Sequence, residues 1–340
     1  MMNAIRLAAP RQVEVVSIPE PAPGPEDVLV EVAQVGLCGS DLNMYRGLLA
    51  MATYPRIPGH EVSGTIIAKG DRVPDRIRLG AAVALNPYTE CGLCPACRAG
   101  RPNCCQFNQT LGIVRDGAMT RRLALPYTKV HSSDTLTLPE LALAEPLGVG
   151  YHAANRGQVS EADTVLVLGA GAVGIGAIVA AARKGATVIV ADVDEVKLNT
   201  ATRFGAHHTI HSRQEDVRAR VRDLTGGEGA QVVIEAVGLP ETFRLAVEAA
   251  AYAGRVVYIG YAKQEVAYDT GEFVRKELDI RGSRNSLRVF PSVIAMLESR
   301  AWPFTDLITR TYPLAAAGEA FREWDAAPGR VAKILIDAQA

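Results

Sequence analysis

The segment from Thr164 to Asp192 constrains the fold more than any other part of the chain, because it joins an apolar strand, a glycine-rich turn and an alanine-rich stretch. Gly169, Gly171 and Gly174 follow the strand in the order Gly-x-Gly-x-x-Gly. The first glycine permits a tight turn, the second lets a pyrophosphate approach the backbone, and the third lets helix and strand pack closely. Free N–H groups at the helix start would bind the phosphates. The pattern predicts a dinucleotide site.

Strands and helices alternate along the second half of the chain. Four apolar runs are predicted strands: Thr164–Leu168, Thr187–Ala191, Gln231–Glu235 and Arg255–Ile259. Longer stretches separate them, as crossover helices do in a doubly wound parallel sheet. Later, an apolar stripe with helical spacing predicts a helix from Phe290, and Val331–Ile336 is a predicted strand. We therefore expect an α/β fold.

Asp192 ends the second of these strands, 18 residues after Gly174. A carboxylate at this position accepts hydrogen bonds from the adenosine ribose of a dinucleotide, whereas the 2′-phosphate of NADP would meet like charge. The next residues are Val193, Asp194 and Glu195, so no arginine follows directly to bind a phosphate. The sequence favours NAD as the cofactor.

The run from Val165 to Ala182 has no charged side chain, and about 18 such residues can span a membrane. It is rich in glycine and alanine rather than in leucine and phenylalanine. A buried strand, a tight turn and a packed helix therefore explain it better than a membrane span.

The first 150 residues consist of short apolar runs divided by glycine and proline. Predicted strands are Val28–Val35, Glu61–Ile67 and Ala81–Leu85. Because little of this region has a helical period, we expect mostly β structure with long loops.

Four cysteines stand close together in the sequence, at Cys91, Cys94, Cys97 and Cys105. Thiolates at such spacing can enclose Zn²⁺ in a tetrahedron, which stabilises a loop and leaves no position for substrate. Cys104 directly precedes Cys105, and spacing alone does not decide which of the two is the fourth ligand. We expect a structural zinc site here.

A second set of metal-binding residue types is scattered along the chain. It contains Cys38 in Cys-Gly-Ser-Asp, His60 and Glu61 after Pro-Gly, and Glu145 before a proline. One cysteine, one histidine and one or two glutamates can bind zinc and leave a position open for water or substrate. Spacing alone gives no reason for these residues to meet.

Composition and charge exclude several classes of partner. The net charge of −1 and the pI near 6.6 provide no basic surface for nucleic acid or for an anionic membrane. Six cysteines are too few for a disulfide scaffold of 340 residues, and no signal-peptide run develops at the start. We expect a cytoplasmic protein with a small-molecule substrate, no nucleic acid and no membrane.

Together, these motifs resemble the zinc-dependent medium-chain dehydrogenase/reductase family of alcohol and polyol dehydrogenases, over essentially the whole chain. The matching features are Cys38-Gly39-Ser40-Asp41, Gly59-His60-Glu61, the four cysteines, Glu145-Pro146, the glycine fingerprint and Glu235-Ala236-Val237-Gly238. The family's cysteine spacing selects Cys105 over Cys104. The resemblance implies a GroES-like catalytic domain over 1–150 and 290–340, and a Rossmann NAD-binding domain over 151–289.

The resemblance also implies roles for individual residues. Cys38 and His60 would hold a catalytic zinc together with Glu61 or Glu145: Glu61 would bind the metal directly or exchange with solvent or substrate, and Glu145 would complete or orient the set of ligands. Each subunit would then bind two zinc ions. Zinc would acidify the substrate hydroxyl, Ser40 would pass its proton on, and the nicotinamide would accept hydride. The implied cofactor-binding residues are Gly169, Gly171, Ala172, Val173, Gly174, Asp192, Lys197, Ala236, Val237, Ile259, Gly260 and Ser283.

The position of Glu145 indicates a branch of the family. Other alcohol dehydrogenases have a second cysteine there, whereas a glutamate is similar to the sorbitol, threonine and sugar-acid dehydrogenases. The implied substrate is a polyol or a sugar acid. Its hydroxyls or carboxylate would contact Tyr45, Arg46, Arg284 and Asn285.

Asn43 departs from the family pattern, which often has a histidine there as the end of a proton relay. Asparagine does not titrate near neutral pH, so a relay would need water or the cofactor ribose. Two other interpretations stay open: a threonine or simple diol dehydrogenase, and a nucleotide-binding regulatory protein that has lost turnover. By resemblance, we expect a homodimer or a homotetramer.

Overall fold

The structure is a computed structural model that describes residues 1–340, in two compact units. The terminal unit contains Met1–Glu145 and Phe290–Ala340, and the central unit is Pro146–Val289. The first division between them falls within a helix, Ala144–Arg156.

Strands and helices alternate more regularly in the central unit than in the terminal unit. The strands are β1 Met2–Ala9, β2 Gln12–Ile18, β3 Asp27–Gly36, β4 Glu61–Lys69, β5 Ala82–Leu85, β6 Arg122–Pro126, β7 Val130–Ser132, β8 Thr164–Leu168, β9 Thr187–Asp192, β10 His208–His211, β11 Ala230–Glu235, β12 Ala250–Tyr258, β13 Asp279–Gly282, β14 Ile308–Pro313 and β15 Lys333–Asp337. The α-helices are α1 Gly39–Tyr45, α2 Pro95–Arg98, α3 Leu138–Ala142, α4 Ala144–Arg156, α5 Ala172–Arg183, α6 Glu195–Arg203, α7 Val217–Leu224, α8 Pro240–Glu248, α9 Gly271–Lys276, α10 Phe290–Glu298 and α11 Ala317–Ala326.

The terminal unit is built on a sheet of order β14-β15-β3-β4-β5-β7, with β6 also paired to β3. Only β14 and β15 pair in parallel. Val28, Val30 and Val32 of β3 are fully buried and alternate with partly exposed residues, because one face of the strand covers the core. β1 and β2 form a separate antiparallel pair.

The register of this sheet brings three distant chain segments to one junction. Gly36, at the end of β3, lies opposite Glu61 at the start of β4 and opposite Leu335 of β15. The backbone N–H of Leu37 donates to the carbonyl of Ile334 over 2.9 Å. The loop after β3, the start of β4 and the C-terminal strand therefore meet at this point.

The central unit contains a six-stranded parallel sheet of order β10-β9-β8-β11-β12-β13. β8 and β11 are almost completely buried, as expected for parallel strands that helices cover on both faces. The strand order reverses between β8 and β11, and ligands of such sheets bind outside the carboxyl ends of the strands at this reversal. The predicted α/β alternation is confirmed.

Several element boundaries differ from those predicted. β12 begins at Ala250 rather than at Arg255, and its pairing with β11 is irregular between Ala230 and Val232. α10 begins at Phe290 and buries the predicted stripe. The run from 165 to 182 forms β8, a turn and most of α5. None of the helices has both the length and the apolarity needed to cross a membrane.

Candidate active site

Four cysteine thiols converge in the loop between β5 and β6. The Sγ atoms of Cys91, Cys94, Cys97 and Cys105 all lie within 4.8 Å of one another. All four come from one short segment, so the local backbone alone determines their arrangement. We call this group the cysteine lobe.

Backbone hydrogen bonds favour the thiolate of Cys94 in the cysteine lobe, whereas burial and the neighbouring Cys94 raise the pKa of Cys97 to about 11. Hydrogen bonds from the backbone N–H groups of Cys97 and Gln106 lower the pKa of Cys94 to about 6. Cys104 lies outside the group, where its thiol faces the Arg101 guanidinium at 3.8 Å. Since the thiolate is the metal ligand, the lobe fits a closed, structural zinc site with Cys105 as its fourth member.

A second group of possible ligands lies at the junction of β3, β4 and β15. One ligand atom from each of Cys38, His60 and Glu61 lies within 4.8 Å of the other two. Cys38 precedes α1, whereas His60 and Glu61 stand at the start of β4. They meet because Gly36 pairs with Glu61 across the sheet. We call these three residues the Cys38 cluster, and their convergence agrees with the resemblance.

Asp41 supports two members of this cluster. One oxygen of its carboxylate, Oδ2, accepts the Cys38 backbone N–H at 2.9 Å. The other, Oδ1, lies 3.7 Å from His60 Nδ1. Burial alone would lower the pKa of His60, but the charges of Asp41 and Cys38 outweigh it and raise that pKa. At 3.7 Å the two atoms are too far apart for a hydrogen bond, so Asp41 acts on His60 through its charge.

Lys333 neutralises the carboxylate of the cluster. Its Nζ donates to Glu61 Oε2 and to the carbonyl of Leu37, the latter at 3.0 Å. Both side chains of the pair are buried. Burial disfavours the charged ammonium, but the charge of Glu61 more than compensates and raises the pKa of Lys333.

Glu145 lies beside the Cys38 cluster rather than in it. Its Oε1 accepts a hydrogen bond from the hydroxyl of Tyr88, and both side chains are buried. Burial raises the pKa of Glu145 to about 7. The structure therefore brings three of the four expected catalytic ligands together, and the fourth binds Tyr88 instead.

Ser40 and Asn43 lie on the first helix, α1, next to Cys38. The Oγ of Ser40 is 3.7 Å from the Cys38 Sγ. The backbone carbonyl of Asn43 accepts a hydrogen bond from Leu48 N–H at 2.8 Å. α1 thus carries Ser40 next to the metal-binding thiol.

The donor atoms of the Cys38 cluster fit zinc. A thiolate sulfur, an imidazole nitrogen and a carboxylate oxygen are the three ligand types of open zinc sites, which use the remaining position for water or substrate.

The glycine-rich turn between β8 and α5 has the geometry that a dinucleotide requires. Gly169 has a φ of 97°, which other residues rarely adopt. A Cβ on Gly171 would meet nothing within 4 Å, so this face is open to a phosphate. A Cβ on Gly174 would collide with the Gly169 carbonyl. The backbone geometry at each glycine thus agrees with the prediction from its position.

Asp192 is fixed against this turn. Its Oδ2 accepts the Ala170 backbone N–H at 2.8 Å, and its Oδ1 accepts the Asp194 N–H at 3.1 Å. Each carboxylate oxygen has a second lone pair for a ribose hydroxyl.

The expected cofactor residues gather along the carboxyl edge of the sheet, except those on helices. Asp192 ends β9, and Gly169, Ala236, Ile259 and Ser283 directly follow the other four strands concerned. Val237 and Gly260 come one residue later, whereas Ala172, Val173 and Gly174 open α5 and Lys197 lies in α6. This edge is where ligands of doubly wound sheets bind.

Glu235 builds the turn after β11, a role that its place in the family motif left unassigned. It is completely buried, and its Oε1 accepts hydrogen bonds from the Val237 and Gly238 backbone N–H groups. The Thr242 hydroxyl donates to the same oxygen at 2.7 Å.

Two of the four expected substrate residues have partners within the terminal unit. Tyr45 is buried and stacks on Phe321 with ring centroids 5.2 Å apart. The Nε of Arg46 donates to Asp325 at 2.6 Å. These contacts join α1 to α11.

The other two expected substrate residues, Arg284 and Asn285, follow β13 in the central unit. Arg284 is exposed, and Asn285 has a φ of 54°, in the left-handed region that asparagine tolerates.

Three residues of the metal site escaped sequence reasoning: Asp41, Tyr88 and Lys333. Asp41 belongs to the Cys-Gly-Ser-Asp motif and stands three residues after Cys38. At this spacing a carboxylate can accept the backbone N–H of the residue that begins a helix, so the motif indicated this contact. Lys333 is the one charged residue in the apolar run from Val331 to Ile336, which suggests a buried partner. Nothing in the sequence around Tyr88 indicated its contact.

Two family models match the chain. The model described as "Alcohol dehydrogenase GroES-like domain" matches residues 24–135, and the one described as "Zinc-binding dehydrogenase" matches residues 172–299.

Characterised relatives match over nearly their full length. The chain is 32% identical to an L-galactonate-5-dehydrogenase of Escherichia coli over 322 residues, which cover 94% of each protein. It is 33% identical to a sorbitol dehydrogenase of Bacillus subtilis over 328 residues, 94% of this chain and 92% of the relative.

Solved structures share the whole fold. A zinc-binding dehydrogenase of Sinorhizobium meliloti bound to NADP is 30% identical, with a TM-score of 0.92 and 99% of each chain covered. A short chain alcohol dehydrogenase of Escherichia coli complexed with NADH is 29% identical, with a TM-score of 0.91 and the same coverage. The terminal unit is thus GroES-like in its N-terminal part, and the central unit has a Rossmann sheet.

Proposed function

We propose that this chain, which belongs to the zinc-binding medium-chain alcohol dehydrogenase family, oxidises a secondary alcohol of a polyol or sugar acid. The product is the ketone, and NAD is the hydride acceptor. The family makes it a zinc-dependent dehydrogenase acting on CH–OH groups. The observation that supports the proposal best is the Cys38 cluster, whose three different donor atoms lie within 4.8 Å of one another.

The substrate class rests on the relatives and on the acidic surroundings of the cluster. The named relatives act on sorbitol and L-galactonate, a polyol and a sugar acid. Glu145 and Tyr88 add a hydrogen-bonded polar pair beside the cluster. Such a pair suits a substrate with several hydroxyls better than an apolar alcohol, because a carboxylate that accepts one hydrogen bond has further lone pairs for substrate hydroxyls.

Residues of the terminal unit would hold zinc and handle the proton. Bound zinc polarises the hydroxyl of an alcohol and makes its proton acidic. Cys38, His60 and Glu61 would hold the metal, and the Asp41 carboxylate places a negative charge 3.7 Å from the Nδ1 of His60. Ser40 Oγ, 3.7 Å from the Cys38 Sγ, would accept the proton of the substrate hydroxyl and pass it on. Asn43 neither takes up nor releases a proton, so a relay beyond Ser40 would need water or a ribose hydroxyl of the cofactor.

Residues of the central unit would align the nicotinamide cofactor, which supplies the hydride acceptor. The open face at Gly171 and the free N–H groups at the start of α5 would bind the pyrophosphate. Glu235 shapes the turn that carries Val237 and Gly238 at the carboxyl edge of the sheet.

The preference for NAD rests on Asp192, whose carboxylate is held by two backbone N–H groups at the end of β9. A carboxylate accepts hydrogen bonds from ribose hydroxyls and repels a 2′-phosphate. Relatives of known structure contain either cofactor, NADP in one and NADH in another, so the residues of this chain carry the argument.

A substrate screen tests the reaction. The zinc-loaded protein is incubated with NAD or NADP and with hexitols, hexonates, threonine or butanediol, while absorbance at the reduced-nicotinamide band is followed. We expect turnover with NAD and a hexitol or hexonate. Activity with threonine or butanediol alone would reassign the substrate. No reduction with any substrate, despite two bound zinc ions, would favour a regulatory protein.

Asp192→Ala tests the cofactor preference. We expect the ratio of kcat/KM with NAD to that with NADP to fall by about tenfold or more, since hydrogen bonds to a charged group are worth about 1.5–3 kcal/mol. The ratio is the readout because loss of the contact to Ala170 weakens both cofactors alike. An unchanged ratio would refute the assignment.

A further inference from the structure

The ion pair of Lys333 with Glu61 unites the C-terminal strand with the metal site. The two side chains are 4% and 1% exposed, so the pair is shielded from solvent. Lys333 Nζ also donates to the Leu37 carbonyl, one residue before Cys38. The ammonium therefore contacts the carboxylate of the Cys38 cluster and the backbone directly before Cys38.

The strand register leaves Glu61 little freedom to avoid this contact. β15 pairs with β3 so that Leu335 lies opposite Gly36, and β3 pairs with β4 so that Gly36 lies opposite Glu61. A Cβ on Gly36 would collide with Glu61 Oε2. The missing side chain of Gly36 thus gives the carboxylate the space in which it meets Lys333.

The ion pair with Lys333 reduces the number of oxygens through which Glu61 can bind a metal. A free carboxylate can bind a cation through both oxygens, but here Oε2 is bonded to an ammonium. Only the second oxygen remains for zinc, and the neighbouring positive charge reduces its attraction for a dication.

We propose that Lys333 is a positioning residue that restricts Glu61 to weak, single-oxygen and exchangeable binding of the catalytic metal. The proposal rests on the proposed function, because it requires zinc at the Cys38 cluster. A Glu61 bound in this way yields its position when a substrate oxygen enters. The C-terminal strand thereby tunes the metal site, although the sequence separates Lys333 from Glu61 by most of the chain.

The release of zinc from the holoenzyme to a chromogenic chelator tests this directly. His60→Ala identifies the kinetic phase that belongs to the catalytic metal, since this variant lacks it. In Lys333→Met, we expect that phase to slow by about tenfold or more, because repulsion of the dication is lost and both oxygens become available. Lys333→Arg restores a cation and keeps the rate within about twofold of the parent.

Two further variants exclude a general effect on folding. Lys276 is another buried lysine, whose Nζ donates to three backbone carbonyls in the central unit, and Lys276→Met should leave the zinc-release phase unchanged. In a Glu61→Gln background, Lys333→Met should have a much smaller effect on the rate, because only the direct repulsion between the ammonium and the dication remains to be removed.

The outcomes separate the possible failures. Unchanged or faster release in Lys333→Met would overturn the proposal, and so would an undiminished effect in the Glu61→Gln background. If the parent protein binds only the zinc of the cysteine lobe, the proposed function itself fails. Should Lys333→Met not fold, Lys333→Gln is measured instead, with the same expected direction.

Discussion

The cysteine lobe and the Cys38 cluster both gather metal-binding side chains in the terminal unit, but they are assembled in different ways. The lobe takes four identical ligands from one loop, and backbone N–H groups of that loop favour the thiolate of Cys94. The Cys38 cluster takes three different ligands, adjoins Asp41 and Lys333, and depends on the pairing of β3 with β4. Four protein ligands fill a tetrahedral zinc site, whereas three leave a position open for water or substrate.

The largest effect expected from this difference is on catalysis. Cys38→Ala should remove one zinc per chain and reduce kcat at least about 10³-fold, because a metal that polarises the substrate oxygen contributes several kcal/mol to the transition state. Metal analysis and turnover are measured on the same sample. Turnover within tenfold of the parent would break the distinction between the two sites.

Cys105→Ser should lower thermal stability and leave turnover nearly unchanged, the reverse of the effect expected for Cys38→Ala. Loss of the lobe zinc should lower the Tm by at least about 5 °C, since structural metals contribute to folding, while kcat per folded molecule changes little. Cys104→Ser is the matched control, because that thiol lies outside the lobe, and it should retain both zinc and Tm. Equal effects of the two substitutions would contradict the ligand assignment.

The smallest expected effect is on the zinc affinity of the Cys38 cluster, through the side chain that faces the ring of His60. Asp41→Asn should weaken zinc binding at the Cys38 cluster by about 10–100-fold, as is usual when the partner of a ligating histidine is changed. The lobe should keep its affinity, because none of its ligands contacts Asp41. Competition with a chelator measures both sites at once, and equal weakening would indicate a global effect.

The same contrast explains what the sequence could predict. The cysteine lobe and the glycine turn are determined by neighbouring residues, so their spacing predicted the thiol cluster and the function of each glycine. The alternation of strands and helices in the central unit is likewise a local signal, and it predicted the type of sheet and four of its six strands, without β10 and β13.

Residues at the Cys38 cluster required information that local patterns lack. Cys38 meets His60 because of a strand register, which pairs residues far apart in the chain. Only the resemblance to a family predicted their meeting, and it did not distinguish Glu61 from Glu145 as a ligand. The ion pair of Lys333 with Glu61 could not be predicted, because a charged residue in a predicted apolar strand does not indicate which residue it will contact.

X-ray absorption at the zinc edge of Cys105→Ser tests the central claim most directly, because this variant should hold zinc only at the Cys38 cluster. We expect the zinc ion to have one sulfur neighbour at about 2.3 Å, from Cys38, and nitrogen or oxygen neighbours at about 2.0–2.2 Å. A zinc ion without any sulfur neighbour, or with several, would show that Cys38, His60 and Glu61 do not bind one metal.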